Sequence, residues 1–356
     1  MRIGVLFGGR SYERDISVIT AVEAVSILKD VAEVYPIYAE DGEFYLIKGD
    51  FTIESFAEKR LKRKKVHFGK HKGRGVLFVG TRMAEIDCVL MCCHGGEGEN
   101  GAFSALMEMC DMPYTASSPL SSAVTMDKRM TKIIAERKGF VTANAVWGHR
   151  GEDLPESAKA LNYPLIVKPA RLGSSIGIDV AHDEKELIQA IGTAFSFDDD
   201  VVVEEVIKDA VELNCAAFCE ENTIIVSEVE NPRSWHEFLT FDEKYRGGKY
   251  KTGARLVRGE LAERVKVETE KIYRAFELFG IVRVDYLYSE EKDVLYLNEI
   301  NSQPGSLAYY LFNEIGIDFR TLLMRVCNQA IRREQKKDII SFNTGVLQNL
   351  SALSYK

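Results

Sequence analysis

Two carboxylates, an amide and a guanidinium fall on alternate positions of two short apolar segments, a pattern that suits phosphate chemistry. The run GIVRVDYLY at 280–288 alternates apolar with polar, as does VLYLNEIN at 294–301. The polar turn at 289–293 between them predicts an antiparallel hairpin. Side chains two apart share a face of a strand, so Arg283 and Asp285 project together, as do Glu299 and Asn301. Closing the hairpin brings Asp285 near Glu299. A dry core is a poor place for such a set, because unpaired buried charge is expensive. It suits a hard cation such as magnesium, which takes oxygen ligands, few from protein and the rest from phosphate and water. An exposed, salt-bridged face is the plainer alternative. The continuation SQPGS at 302–306 weighs against it, because such a turn has backbone amides free to bind an oxyanion.

Three further segments carry chemistry-bearing residues. Lys168 ends the apolar run 165–167, so its ammonium is directed at the strand's mouth, and the loop that follows, through Gly173, Ser174, Ser175 and Gly177, offers amides and hydroxyls to phosphates. Alone, a glycine-serine loop is more often an ordinary hairpin. The chain contains neither the GxxxxGK[ST] phosphate loop nor the GxGxxG dinucleotide fingerprint. His94 closes the apolar run 88–92 and opens a turn with Gly95, Gly96, Gly98 and Gly101, at the kind of strand end where open α/β sheets bind ligands. Near the N-terminus, Gly8 and Gly9 let a ligand approach the backbone, and Glu13 is placed to pair with a substrate ammonium or to act as a helix N-terminal charge.

Positioning these residues requires an α/β scaffold. Short apolar runs at 3–7, 34–38, 76–79 and 88–92 alternate with helix-like stretches such as 18–28, the pattern of an open parallel sheet covered by helices over residues 1–118. A helix with Met126, Met130, Ile133 and Ile134 at helical spacing leads into a compact α/β unit, 119–204, with strands at 165–168 and 201–205 and a helix at 184–194. The remainder, 205–356, carries strands at 223–229, 281–288 and 294–300, a polar helix at 260–278 and a terminal helix at 318–333. A chain of 356 residues, 46% hydrophobic and 28% charged, has material for two or three such domains.

Its formal net charge of -8 gives no general attraction to nucleic acid or anionic membrane, so a charged small ligand needs local cations. The basic stretch 60–74 lacks aromatic interleaving and an apolar face, and reads as a solvated hairpin or loop rather than an anion-binding patch. The seven cysteines are odd in number, lie mostly in apolar runs and form no CxxC pair, against both a disulfide framework and a zinc site. Cys92 and Cys93 read as buried small hydrophobes. No signal-peptide pattern and no uninterrupted apolar run of about 18 residues occurs, so a cytoplasmic protein is expected.

Taken in order, six segments resemble the D-alanine-D-alanine ligase family of the ATP-grasp superfamily across most of the chain: GGRSYERDIS at 8–17, HGGEGENG at 94–101, SAVTMDK at 122–128, KPARLGSSIG at 168–177, Arg283 with Asp285, and NEINSQPG at 298–305. The resemblance implies a three-domain ATP-grasp architecture, with ATP held between the second and third domains. It implies that Lys128 and Lys168 contact the nucleotide phosphates under a loop at Ser174 and Ser175. Glu204, Glu205, Val206 and Ile207 would form the adenine hinge, with Glu212 near the ribose. Asp285, Glu299 and Asn301 would hold two magnesium ions, or manganese. Glu13 would bind the ammonium of a first D-amino acid, His94 would lie near its carboxylate, and Arg283 with the Gly305 amide would stabilise the oxyanion. Lys244 and Tyr245 resemble the end of the family's mobile loop, where Tyr245 with Ser174 and Glu13 would close the site. A homodimer is usual in the family.

Three departures bear on the second substrate. Where the family continues after Pro304 and Gly305 with a Thr-Ser-rich stretch, this chain reads Ser306, Leu307, Ala308, Tyr309, Tyr310. This leaves Ser306 and Tyr310 as the residues nearest the second substrate. The stretch 234–239 is unusual, and Asn100 stands where aspartate is common. Tyr245 in place of a histidine favours an amine acceptor over a hydroxy acid. The expected activity is joining of two D-alanines for peptidoglycan. The alternatives are a different acceptor, such as D-serine or D-lactate, and a nucleotide-binding α/β protein of another class, an oxidoreductase or a non-catalytic sensor.

Overall fold

The computed structural model of the chain describes residues 1–58, 61–232 and 255–335. Among these residues, β1 (Arg2–Gly8), β2 (Glu33–Glu40), β3 (Glu43–Lys48), β4 (Lys62–His71), β5 (Arg74–Val79), β6 (Arg82–Glu85) and β7 (Cys88–Met91) form one sheet, ordered β6-β5-β4-β3-β2-β1-β7. Only β2, β1 and β7 run parallel, while β3 to β6 extend the sheet as an antiparallel meander. The sheet is therefore mixed, where the spacing of apolar runs predicted a parallel one. The parallel strands carry continuous apolar runs because both faces are covered. Ile3, Val5 and Phe7 of β1 face one buried cluster, and Leu6 faces another with Phe103 and Met107. The basic stretch is the hairpin of β4 and β5. Only Val66 and Phe68 of β4 are buried, while Arg63, Lys65 and Lys70 lie exposed beside Glu40, Glu43 and Asp111.

A second sheet of β8 (Ala145–His149), β9 (Leu165–Pro169), β10 (Asp179–Ala181) and β11 (Asp200–Glu205) has the order β10-β9-β11-β8. Helix Glu184–Ala194 buries Leu187, Ala190, Ile191 and Ala194 at helical spacing, and these join the cluster that covers this sheet. The third sheet contains β12 (Val211–Glu220), β13 (Thr223–Glu230), β14 (Leu256–Val257), β15 (Val282–Ser289) and β16 (Val294–Asn301), ordered β14-β13-β12-β15-β16. Helix Glu260–Ala275 covers one face of it through Ala262, Val265, Ile272 and Tyr273.

The terminal helix Phe319–Gln335 returns to the first sheet. Its Leu322, Leu323, Val326, Cys327 and Ala330 recur at helical spacing and share a buried cluster with Ile3, Leu28, Cys88 and Leu90, and with Ala216 and Phe218 of β12. First and third sheets are thus joined through one apolar seam. All seven cysteines are free and six are buried, Cys92 and Cys93 among them. No helix among the described residues is long and apolar enough to cross a membrane.

A second joint lies at Gly280, which precedes β15. Its φ is +74°, and a Cβ there would run into the carbonyl oxygen of Thr115. Left-handed strain and backbone overlap act together, so Gly280→Ala is expected to destabilise the protein by about 3 kcal/mol or more. A urea titration checks this, and a midpoint equal to that of the parent chain contradicts it.

Candidate active site

The hairpin that carries the acidic set forms as its alternation predicts, with Arg283 opposite Asn301 and Asp285 opposite Glu299. One detail escapes a period of two. Tyr286 pairs with Leu297 and Asp285 with Glu299, so Asn298 is an extra residue, a β-bulge. Leu295 and Leu297 are buried before the bulge and Ile300 after it, so the bulge reverses which parity faces the core. Glu299 and Asn301 are thereby turned to the same face as Arg283 and Asp285. The guanidinium of Arg283 donates to both oxygens of Asp285, at 2.6 and 2.7 Å, and Asn301 Nδ2 donates to Asp285 Oδ2 at 3.0 Å. This charge-assisted pair raises Arg283 well above its usual pKa even though burial opposes the charge. A carboxylate, a second carboxylate and an amide oxygen on one face are the donors a hard divalent cation takes, so these residues fit one.

Across a cleft of about 1310 Å³ lie the cations. Lys168, at the end of β9, donates to Glu204 Oε2 of β11 at 2.9 Å and to the bulged Asn298 Oδ1 at 3.3 Å. Lys132 reaches Glu204 Oε1 at 3.4 Å from helix Lys128–Arg137. Burial alone would push the Glu204 carboxyl up, but Lys132 and Lys168 outweigh it and hold it at about 2. Lys128 starts the same helix, where Asp127 caps the backbone N–H groups of Arg129 and Met130. Its ammonium donates to Leu172 O at 2.6 Å, and burial lowers its pKa.

The glycine-serine loop is anchored at its base. Arg171 pairs with Asp198 at 2.5 Å and Asp200 at 2.7 Å, and Asp200 also meets Arg129 at 2.5 Å. At its tip Ser174 and Ser175 both have positive φ, 55° and 57°, a strained conformation of the kind that persists where surroundings over-determine it. Ser174 donates to Glu13 Oε1, joining this loop to the start of helix Arg14–Leu28.

His94 sits at the end of β7, buried, with both ring nitrogens engaged. Nδ1 lies 2.7 Å from Gln303 O, and Nε2 lies 2.8 Å from Thr20 Oγ1. A carbonyl only accepts, so Nδ1 carries the proton. Burial, with Arg283 nearby, lowers its pKa to about 4, so the ring is neutral. Glu99, from the same glycine-rich turn, accepts from the backbone N–H groups of Gly95 and Gln303, and burial pushes it up to about 8, with the Glu13 charge adding. Tyr310 donates to Glu230 Oε1 at 2.6 Å.

The structure therefore sets the expected residues in two adjoining groups. Lys128, Lys168, Ser175, Glu204, Glu205, Val206, Ile207, Glu212, Arg283, Asp285 and Glu299 line the cleft. Glu13, Ser174, His94, Gly305 and Ser306 gather where helix Arg14–Leu28 meets the loop after β16, and Tyr310 lies against Glu230 near Arg283. Lys244 and Tyr245 lie outside the described residues. Lys132, Asn298, Glu230 and Thr20 were not singled out from the sequence. For Lys132 a signal existed, since it stands one helical turn after Lys128.

Two buried lysines lining one wall of a deep cleft, opposed by an acidic hairpin on the other, fit the ATP-grasp class. The family model for the D-ala D-ala ligase N-terminus matches residues 2–117, and that for the D-ala D-ala ligase C-terminus matches residues 136–328. The chain belongs to the D-alanine-D-alanine ligase family. It is 35% identical to the D-alanine–D-alanine ligase of Thermosipho africanus, over 97% of this chain and 98% of that one. The VanG D-Ala:D-Ser ligase of Enterococcus faecalis superposes with a TM-score of 0.78 at 26% identity, covering 92% of this chain and 99% of that one. The D-alanine–D-alanine ligase of Bacillus anthracis, solved in complex with ATP, superposes with a TM-score of 0.71 at 26% identity, covering 95% and 100%.

The Glu204 pair gives a pH signature. Its folded pKa of about 2 lies below the ordinary 4.5, so its stabilisation is present above pH 4.5 and is lost as pH falls through 2. Lys132→Met removes one partner of a buried pair and is expected to destabilise by about 3 kcal/mol at neutral pH. It also shrinks the loss between pH 4.5 and 2, measured by urea unfolding across that range. A mutant with the parent's stability and acid slope contradicts the assignment.

Proposed function

We propose that this chain joins D-alanine to D-alanine with conversion of ATP to ADP and phosphate, through an acylphosphate, supplying a peptidoglycan precursor from the cytoplasm. The observation that carries this reading is the opposition of Lys128 and Lys168, with Lys132 behind them on Glu204, to Asp285 and Glu299, with Asn301 on Asp285, across one cleft, in a chain matched by both halves of the family. A homodimer, usual in the family, is the expected assembly.

The chemistry follows from charge. The carboxylate of the first D-alanine attacks the γ-phosphorus of ATP, the bond to the bridging oxygen breaks, and ADP leaves. Lys128 and Lys168 face the phosphates and offset charge as it moves from nucleophile to leaving group. Magnesium or manganese on Asp285, Glu299 and Asn301 would supply electrostatic stabilisation of the phosphate oxygens. The segment Glu204 to Ile207, which ends β11 and continues along the cleft wall, would meet the adenine, with Glu212 near the ribose. Glu13 receives the ammonium of the first substrate, with His94 holding the loop near its carboxylate. The amine of the second D-alanine then adds to the acyl carbon. Arg283 and the Gly305 amide stabilise the oxyanion, and phosphate departs.

Water would hydrolyse the acylphosphate, so the site must close. Ser174, already bonded to Glu13, supplies one side of that closure. Tyr245 and Lys244 are the residues expected on the other side.

A second acceptor is favoured by one observation. The positions after Gly305 hold Tyr310 bonded to buried Glu230, where a Thr-Ser-rich stretch is usual, and the VanG relative is named a D-Ala:D-Ser ligase. Phosphate release with ATP, magnesium and D-alanine alone, compared with D-alanine plus D-serine or D-lactate, separates the two. Turnover with D-alanine alone is expected, and its absence would sink the main reading.

Glu299→Gln keeps the shape of the side chain and removes its charge. It is expected to lower ADP formation by about 10³-fold or more, in line with loss of a preorganised charged group, while the thermal midpoint and far-UV spectrum stay near the parent's. A mutant of near-normal rate means the metal assignment is wrong.

A further inference from the structure

The loop Gln303 to Ser306 is fixed at two backbone points by residues that lie far away in sequence. Ser306 N–H donates to Thr20 Oγ1 at 3.2 Å, across 286 residues. Thr20 Oγ1 lies 2.8 Å from His94 Nε2, and His94 Nδ1 lies 2.7 Å from Gln303 O. Only one assignment of protons serves all three contacts. The Gln303 carbonyl accepts, so Nδ1 holds the ring proton, Nε2 accepts from the Thr20 hydroxyl, and the hydroxyl oxygen is left to accept from Ser306 N–H. The relay is buried, with Thr20 fully enclosed and His94 2% exposed.

The two points held, Gln303 O and Ser306 N, straddle Gly305. The backbone beyond is costly in itself, for Ser306, Leu307 and Ala308 have φ of 47°, 51° and 47°, left-handed values that L residues rarely adopt. Such a turn persists only where its surroundings over-determine it. Glu23, one helical turn after Thr20, adds to that hold: its half-buried carboxyl interacts with Ser306.

We propose that Thr20 is a positioning residue for the ligation step, acting through the Thr20–His94 relay to hold the Gly305 N–H where the oxyanion forms. This rests on the reading that Gly305 is the oxyanion donor. Thr20 touches no substrate. Its hydroxyl sets the loop from one side while His94 sets it from the other, so the amide between them is aimed before substrate arrives. Preorganised donors of this kind stabilise the transition state more than the ground state.

The test uses the full chain with ATP, magnesium and D-alanine. Thr20→Val keeps the shape and removes the hydroxyl. It is expected to lower kcat about tenfold, the scale of a small misplacement of a catalytic group, with KM for ATP and the thermal midpoint close to the parent's. Thr20→Ser restores the hydroxyl and is expected to recover most of kcat. A Thr20→Val enzyme with the parent's kcat overturns the proposal, as does a Thr20→Ser enzyme no better than Thr20→Val.

A second measurement needs no folded variant. In the parent chain labelled with 15N-histidine, His94 is expected as the neutral Nδ1–H tautomer at pH 7. An Nε2–H tautomer or a protonated ring overturns the relay. If the parent forms no dipeptide from D-alanine or the alternative acceptors, the ligase reading fails instead, and the tautomer measurement still decides the relay.

Discussion

A carboxylate held between two lysines carries the arrangement of the cleft. Glu204 lies almost fully buried, with Lys168 on one oxygen and Lys132 on the other. Two ammonium groups this close in a low-dielectric wall repel each other and are costly to desolvate, and burial drives a lone lysine toward neutrality. Glu204 answers both problems, because its negative charge offsets the two ammonium groups and fixes where they point. The three residues come from β9, β11 and helix Lys128–Arg137, so one ionic contact also sets the spacing of the elements behind the phosphates. Lys168 then reaches Asn298 on the opposite sheet, one of the contacts that join the two walls of the cleft.

The opposite wall solves the converse problem. Asp285, Glu299, Glu13, Glu99 and Glu230 gather at one end of the cleft, where Arg283 is buried against Asp285 and Lys128 lies within reach of the Glu299 charge. The bidentate contact of Arg283 with Asp285 neutralises one charge, and two backbone N–H groups on Glu99 ease another. A triphosphate is attracted to the lysine wall. This explains how a chain with a net charge of -8 binds an anionic nucleotide, since the sign of the whole molecule matters less than two short rows of opposed groups.

Much of this was legible in the chain because the informative residues sit in strongly periodic segments. The hairpin 282–301 declares itself by alternation, and its face of Arg283 and Asp285 follows from a period of two. The bulge at Asn298 does not, because a one-residue insertion leaves each flanking run regular and shows only when both strands are paired. The first sheet was misjudged in direction for a similar reason. Apolar runs separated by polar ones look alike in parallel and antiparallel strands, and β3, β4 and β6 carry too few buried positions to register as apolar runs. The role of His94 was hidden more deeply. From the sequence, a histidine beside glycines suggests contact with ligand, whereas its protonation and partners depend on Thr20 and on Gln303, the latter 209 residues away.

The loop after β16 shows why the least regular segment can be the most constrained. Each left-handed residue from Ser306 to Ala308 costs about 1–2 kcal/mol against an ordinary conformation, and the chain uses no glycine to relieve it. Such a conformation survives because independent contacts converge on it. Thr20 and His94 hold its start, Leu307 and Ala308 are buried in the seam of the terminal helix, and Tyr310 is tied to Glu230. These anchors come from the first sheet's helix, the C-terminal helices and β13. A substitution at any of them therefore reaches the loop that follows β16. The contacts that shape this loop come from residues dispersed from 20 to 310, which is the physical reason that a short motif comparison locates the break in pattern but does not name the acceptor.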